Sequence, residues 1–144
     1  MSKPSTILKV CAFAAITMTA CAFGGTRPPE LSDELLDAIR FVESGDRVNV
    51  PDGDNGRAIG PYQIWRVYWQ DACEYDPSLK TRRYEDCRDP EYARRVVIAY
   101  LSRYGRGKSA EDLARIHNGG PKGHRKDATV EYWQKVEKRL NERN

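Results

Sequence analysis

The chain has 144 residues, of which 40% are hydrophobic and 31% are charged, and its formal net charge at pH 7 is +3. This length and balance fit one globular domain with a modest core, and they leave little room for a second. Because this positive charge is small, it gives little support to nucleic-acid binding, and we expect no nucleic-acid partner.

The N-terminus carries an apolar, uncharged run over residues 10–20 that follows two lysines, a pattern typical of a secretory signal peptide. The run is too short to span a bilayer, which takes a helix of about 20 residues. It ends in "MTAC", which resembles the lipobox of bacterial lipoproteins and would make Cys21 the lipidated first residue of the mature protein. Cleavage near Gly24 or Gly25 would instead release a soluble protein. We therefore expect export, either to the periplasm or cell envelope as a lipoprotein or by secretion, with a membrane contact only through Cys21.

Removal of residues 1–20 takes away two lysines and no acidic residue, which lowers the formal charge from +3 to +1. Residues 21–30 hold two glycines and two prolines without hydrophobic periodicity and predict a tether, so the domain is expected over 31–144. Within that domain only Cys73 and Cys87 remain, and two leftover cysteines in an exported protein usually form a disulfide bond. No histidine or acid lies at metal-ligand spacing from them, and we expect no metal site.

Helical periodicity predicts a first helix that begins after Ser32 as its N-cap, ends at Gly45 and carries Glu43 in its last turn. Residues 46–60 lose this period and contain "PDGDNG", a cluster of turn formers that predicts a small hairpin or irregular β segment. Pro61 suits the first position of a second helix.

Three more helices are predicted after a loop that carries the cysteine pair. One begins at Asp89 and Pro90 and ends at Gly105, one begins after Ser109, and the last begins near Thr129. The fold class is therefore α+β and mainly helical, with about five helices and a small β-hairpin. In such a fold a helix end and a turn can together line a cleft. We expect a monomer.

Three carboxylates lie in the stretch from residue 41 to residue 64. Glu43 meets the negative end of the helix dipole, and shielding by a nearby aromatic ring would also favour the neutral acid that a glycosidase general acid requires. Asp52 and Asp54 lie in a glycine-rich turn where backbone N–H groups can stabilise an ionised carboxylate. Taken alone, such residues are more often ordinary exposed acids, so a catalytic interpretation needs a more specific pattern.

A longer pattern supplies that specificity. The chain contains five short segments in this order: "VESG" at 42–45, "GPYQI" at 60–64, "YWQDAC" at 68–73, "ARIHNGGPKG" at 114–123 and "YWQKV" at 132–136. In identity and order these segments closely resemble those of the invertebrate-type (destabilase-like) lysozymes. "GPYQI" alone would be weak, because transglycosylases carry similar strings. The resemblance spans nearly the whole domain. It implies a lysozyme-like fold and cleavage of the β-1,4 bond between N-acetylmuramic acid and N-acetylglucosamine in peptidoglycan. The sequence does not mark a cofactor site, and we expect no cofactor.

The resemblance assigns roles residue by residue. The glutamate of "VESG" is the family's general acid, which is Glu43 here. The family's aspartate lies in a D-x-G context before "GPYQI", and "DNG" makes Asp54 the better match. Because the intervening segment is shorter in this chain, Asp52 stays an alternative.

Four further residues are candidate substrate contacts. Tyr62 and Gln63 offer an aromatic face and an amide, which suit pyranose rings and N-acetyl groups, although Tyr62 could equally belong to the core. His117 and Asn118 could contact sugar or support the site, or could simply bond backbone groups and end their helix. The three tryptophans are expected to be packing residues; they are Trp65, Trp69 and Trp133.

The chain departs from the family pattern in its cysteines, which are dense in those lysozymes and reduced here to one pair. With the lipobox-like start, this suggests a bacterial exported relative. Two alternative functions stay open: a lytic transglycosylase that uses Glu43 alone, and a non-catalytic lipoprotein that binds the cell wall. Some family members are credited with isopeptidase activity, for which Ser44 and His117 would be the matching pair, although no third orienting group is evident.

Overall fold

The computed structural model describes residues 26–47 and 49–143. The expected signal peptide and Cys21 lie outside these ranges. No helix formed by the described residues is long and apolar enough to cross a membrane.

The described residues form five α-helices and a two-stranded antiparallel sheet, which confirms the mainly helical α+β prediction. The elements are α1 (Asp33–Ser44), β1 (Ala58–Ile59), β2 (Ile64–Trp65), α2 (Arg66–Tyr75), α3 (Pro90–Tyr104), α4 (Ala110–Gly119) and α5 (Val130–Asn141). In the sheet, Ala58 pairs with Trp65 and Ile59 with Ile64. Helix α2 packs on α3 and α1 packs on α5 around one hydrophobic core.

Helix α1 has the bounds that its capping residues predict. The Ser32 hydroxyl accepts a hydrogen bond from the Leu35 backbone N–H at 3.1 Å. At the other end Gly45 adopts a left-handed conformation, with φ 61°, and donates its N–H to the Phe41 carbonyl at 2.7 Å. Glycine reaches this conformation without a Cβ penalty, so the helix stops there and keeps Glu43 in its last turn.

Helices α3 and α4 are also capped as the sequence predicts. The Asp89 carboxylate accepts from the Tyr92 N–H at 2.9 Å, and Pro90 occupies the first turn of α3. The Ser109 hydroxyl accepts from the Asp112 N–H at 3.1 Å at the start of α4. Both caps satisfy N–H groups that have no partner within their helix.

The expectation that Pro61 begins the second helix is wrong. Pro61 lies in the turn that joins β1 to β2, and α2 begins five residues later, after the chain has formed the second strand. Proline suits this turn as well as a helix start, because both need a φ near −65°. The turn is fixed at Gly60, which has φ 72° and lies so close to the Cys87 carbonyl that a Cβ would come within 1.9 Å of the oxygen.

The expected disulfide bond between Cys73 and Cys87 is not present in the structure, where both residues are free thiols. Cys73 lies in α2 and Cys87 in the 3-10 turn Tyr84–Arg88, and both are buried in the core, where cysteine packs as a small apolar side chain. Burial raises the pKa of both thiols; that of Cys87 rises to about 12, with Cys73 contributing after burial.

We expect the thiols of Cys73 and Cys87 in the reduced, folded protein to react with iodoacetamide at pH 8 at least ~100-fold more slowly than in urea. The thiolate is the reactive species, and burial disfavours it. Mass spectrometry of the labelled peptides assigns each rate to its cysteine. Equal rates in folded and unfolded protein would contradict the expectation. No labelling even after unfolding without reductant would show that the two cysteines are bonded to each other.

Candidate active site

Glu43 and Asp54 line the same open cleft, which has a volume of about 660 Å³. One wall is the C-terminal turn of α1, and another is the β-hairpin with its preceding turn. The last turn of α4 and the glycines after it also line the cleft, together with residues of α2 and Tyr100 of α3. The volume is in the range of small-molecule and sugar sites in proteins, which are about 300–1,000 Å³.

Glu43 is partly buried, with 18% of its side chain exposed. Its Oε1 atom lies 3.5 Å from Nε2 of His117, in the last turn of α4. Among the described residues no lysine or arginine forms an ion pair with Glu43. The carboxyl group therefore faces uncharged or titratable polar groups and not a permanent cation.

Tyr132 of α5 lies on another side of Glu43. Its hydroxyl is buried, and no acceptor in the described part of the chain has the distance and angle of a hydrogen bond to it. Burial raises the pKa of Tyr132 well above its usual value, and the nearby Glu43 carboxylate raises it further. The hydroxyl thus keeps its proton and can donate to the Glu43 carboxyl.

Asp54 occupies a different environment, at the start of the 3-10 turn Asp54–Gly56. Backbone φ angles of 48° at Asp54 and 56° at Asn55 lie in the left-handed region, where Asp and Asn are the tolerated non-glycine residues. A bridge between Gly53 and Ala58 closes this turn. Arg57 donates from Nη2 to the Asp54 carboxylate at 3.0 Å, and 38% of the Asp54 side chain is exposed. This is the setting of an exposed, ion-paired carboxylate.

Asp52, the alternative second carboxylate, does not line the cleft with Glu43. Both of its carboxylate oxygens accept hydrogen bonds from Nη2 of Arg88, at 2.9 and 2.6 Å. Asp52 therefore ties the segment before the hairpin to the 3-10 turn that contains Cys87, and the structure brings Asp54 and not Asp52 into the cleft lining.

Tyr62 is not available as a substrate contact, which corrects the expectation. Only 1% of it is exposed, and its hydroxyl receives a hydrogen bond from Nη1 of Arg94 at 3.3 Å. Gln63 does line the cleft, but its amide nitrogen donates to the carbonyls of Gly60 at 2.9 Å and Pro51 at 3.4 Å. The Gln63 amide therefore holds the hairpin turn together.

His117 and Asn118 both line the cleft. Only 8% of His117 is exposed, and its Nδ1 atom lies 3.0 Å from the hydroxyl oxygen of Tyr68 in α2. Asn118 is exposed, and it is followed by the glycines that end α4.

The matching Ser–His pair for an isopeptidase is not formed. Ser44 is buried and donates its hydroxyl proton to the Arg40 carbonyl at 2.9 Å. It lines a separate, smaller pocket that does not include His117. Consecutive residues at a helix end point in different directions, which separates Ser44 from Glu43.

Trp65 is a cleft residue that the sequence interpretation missed. It is 42% exposed and lines the cleft, with the Arg57 guanidinium 5.0 Å from its ring centroid. Trp69 and Trp133 pack against the core, as expected. The strand period would have revealed Trp65, because a residue that follows buried Ile64 in a strand must point to the opposite face.

Asp71 of α2 is a third carboxylate in the cleft lining, also missed from the sequence. It accepts a hydrogen bond from the Tyr104 hydroxyl at 3.0 Å. Within the described ranges no cluster of three or more His, Cys, Asp or Glu could hold a metal ion. The polar side chains of the cleft include carboxylates, aromatic hydroxyls, an imidazole, amides and the ammonium group of Lys126, which donates to the Gly119 carbonyl at 2.6 Å.

Sequence comparisons extend this picture. The destabilase family model matches residues 33–139, a range that includes α1 and most of α5. The chain is 37% identical over 112 residues to lysozyme 1 of Crassostrea virginica, covering 74% of this chain and 59% of that protein. It is 37% identical over 114 residues to a lysozyme of Magallana gigas, covering 74% of this chain and 78% of that protein. Invertebrate-type lysozyme 6 of Caenorhabditis elegans is 30% identical over 142 residues, which cover 90% of this chain and 94% of that protein.

Solved structures give the same result. A crystal structure of Meretrix lusoria lysozyme in complex with PliI of Aeromonas hydrophila matches with a TM-score of 0.63 at 32% identity, covering 74% of this chain and 88% of that one. An inhibitor-bound lysozyme from Meretrix lusoria matches with a TM-score of 0.64 at 31% identity and the same coverage. With a family match over most of the chain and relatives at 30% identity or more, the chain belongs to the destabilase family of invertebrate-type, lysozyme-like glycosidases.

Proposed function

We propose that the protein cleaves peptidoglycan at the β-1,4 bond between N-acetylmuramic acid and N-acetylglucosamine. The observation that carries the proposal is that Glu43 and Asp54 line one cleft in unlike environments. Glu43 is partly buried beside His117, with no lysine or arginine paired to it among the described residues, whereas Asp54 is exposed and paired with Arg57. Glycosidases need this division, because one carboxyl must deliver a proton while the other stays ionised. The lysozyme relatives support the choice of peptidoglycan as the substrate.

In this mechanism Glu43 protonates the glycosidic oxygen as the bond to it breaks. Asp54 attacks the anomeric carbon or stabilises the positive charge that develops there. A water molecule then completes hydrolysis, and Glu43 takes a proton from it, which returns the carboxyl to its starting form. If Asp54 is the nucleophile, its carboxyl should lie about 5–5.5 Å from that of Glu43 in the complex, and the anomeric configuration should be retained.

Two exposed side chains of the cleft are proposed to bind the glycan. The indole of Trp65 offers an apolar face for a pyranose ring, and Arg57 packs against the same indole. Asn118 offers an amide that can bond N-acetyl or hydroxyl groups. The active protein is further proposed to be monomeric and exported, with lipid attachment at Cys21 as its link to the membrane.

Replacement of Glu43 by Gln is expected to lower the release of reducing ends from peptidoglycan by at least ~100-fold, because general acid catalysis contributes about 10²–10⁴. Glu131→Gln is the matched control, since Glu131 is 79% exposed and its ion pair among the described residues is with Lys135 on the surface of α5. The control should keep wild-type activity. Unchanged cleavage by the Glu43 variant would exclude the mechanism, and tight binding to sacculi without any cleavage by wild type would favour a wall-binding protein.

Asp54→Asn and Asp52→Asn form a second matched pair. The Asp54 variant is expected to lose activity by ~100-fold or more, since the charge facing the reaction centre disappears. The Asp52 variant loses only the ion pair with Arg88, a surface interaction of about 0–1 kcal/mol, and should stay within a fewfold of wild type. The reverse order of losses would assign the second role to Asp52.

Mass spectra of the wild-type muropeptide products provide a further readout of the role of Asp54. Hydrolysis should give reducing ends. Anhydro termini would instead identify a lytic transglycosylase, which needs Glu43 but no second carboxylate.

Trp65→Ala is expected to raise KM for peptidoglycan by several fold with little change in kcat, since a stacking surface binds substrate and transition state alike. Trp65→Phe keeps an aromatic ring and should restore most of the binding. Loss of kcat without a change in KM would contradict a role for Trp65 in binding.

A further inference from the structure

We propose that Tyr68 and His117 form a positioning pair for Glu43, in which Tyr68 donates its hydroxyl proton to Nδ1 of a neutral His117. The ring then carries its proton on Nε2 and directs that N–H at the Glu43 carboxyl. The effect on catalysis rests on the proposed role of Glu43, whereas the assignment of protons does not.

The geometry places the two ring nitrogens of His117 against two different partners. Nδ1 is 3.0 Å from the Tyr68 hydroxyl oxygen, and Nε2 is 3.5 Å from Oε1 of Glu43. The first distance is that of a good hydrogen bond. The second is longer than a hydrogen bond and places the imidazole next to the Glu43 carboxyl. In a neutral imidazole one nitrogen donates and the other accepts, so the contact at Nδ1 decides which proton faces Glu43.

The Tyr68 hydroxyl is the donor in this contact because its proton has no other acceptor among the described residues. Burial raises the pKa of Tyr68 well above its ordinary value, so the hydroxyl keeps its proton. If His117 donated from Nδ1, that buried proton would be left without a partner, which is costly.

The surroundings of His117 hold its ring in this orientation. The Tyr68 ring stacks on Tyr100 of α3, with centroids 3.5 Å apart and planes 15° apart. The edge of His117 meets Tyr68 at a centroid distance of 5.4 Å and Tyr62 of the hairpin turn at 6.5 Å.

Tyr132 of α5 lies 6.4 Å from the His117 ring, by centroid distance. The titratable groups around His117 are therefore four tyrosines, one of them behind Tyr68, and the Glu43 carboxyl.

This arrangement brackets Glu43 between two potential donors, the Nε2–H of His117 and the Tyr132 hydroxyl. Glutamate at a helix end has several rotamers, and donors on two sides restrict the carboxyl to one direction. They also stabilise the carboxylate that remains after the proton has left, without supplying a permanent cation. His117 is therefore a positioning residue, and Tyr68 acts through it.

The proton assignment can be measured without any assay of activity. The chain has two histidines, so His124→Gln leaves His117 as the single histidine of the uniformly ¹⁵N-labelled, tag-free protein. Long-range ¹H–¹⁵N correlation spectra at pH 7.5 should show a protonated Nε2 and an unprotonated Nδ1. A protonated Nδ1 in a neutral ring, or a charged ring at this pH, would overturn the proposal.

Tyr68→Phe tests the donor directly, because it keeps the ring that stacks on Tyr100 and removes only the hydroxyl. We expect His117 to become a mixture of the two tautomers, and kcat to fall about 10-fold with KM within twofold of wild type. Tyr104→Phe is the control, since its hydroxyl donates to Asp71 and not to His117, and it should keep the wild-type tautomer.

An unchanged single tautomer in Tyr68→Phe would also overturn the proposal. If that variant does not fold, the spectrum of the protein with Tyr68 in place still shows which ring nitrogen of His117 carries the proton. A protein with the expected tautomer but no glycosidase activity would reject the proposed function and leave the hydrogen-bond assignment intact.

Discussion

The left-handed backbone of Gly45 is the constraint on which the cleft depends. It ends α1 two residues after Glu43 and sends the chain toward the hairpin instead of prolonging the helix. Because the helix stops there, Glu43 faces the cleft while Ser44, its neighbour, bonds the Arg40 carbonyl on the side of the second pocket. A residue with a Cβ would be strained at this φ of 61°, so a change at Gly45 would reach the acid through the backbone.

The opposite wall of the cleft is held by contacts to the 3-10 turn Tyr84–Arg88, well away from the carboxylates. The Tyr84 hydroxyl donates to the Ile64 carbonyl at 2.8 Å, and Nη2 of Arg88 donates to the Asp52 carboxylate at 2.6 Å. Gly60 packs directly against the Cys87 carbonyl. A two-stranded sheet alone is only marginally stable, so this support explains how so short a hairpin can hold Asp54 in place.

The parts of the fold that local chemistry decides could be predicted from the sequence. Ser32 and Gly45 specify the ends of α1 through caps that involve only near neighbours, and the position of Glu43 follows from them. Tyr62 and Trp65 were assigned to the wrong sides because their exposure depends on the register of the hairpin, which Pro61 concealed by resembling a helix start. The hydrogen bond between Tyr68 and His117 spans 49 positions of the chain, and no local pattern predicts it.

The charges of the cleft are distributed so that each carboxylate has a different kind of partner. Asp54 has the permanent cation of Arg57, Asp71 has the Tyr104 hydroxyl, and Glu43 has an imidazole and a nearby tyrosine. A cation beside Glu43 would favour its ionised form and oppose proton delivery. Uncharged donors can orient the acid at a smaller electrostatic cost. The same cleft can therefore keep one carboxylate ionised and another ready to give up its proton, which is the condition that cleavage of a glycosidic bond imposes.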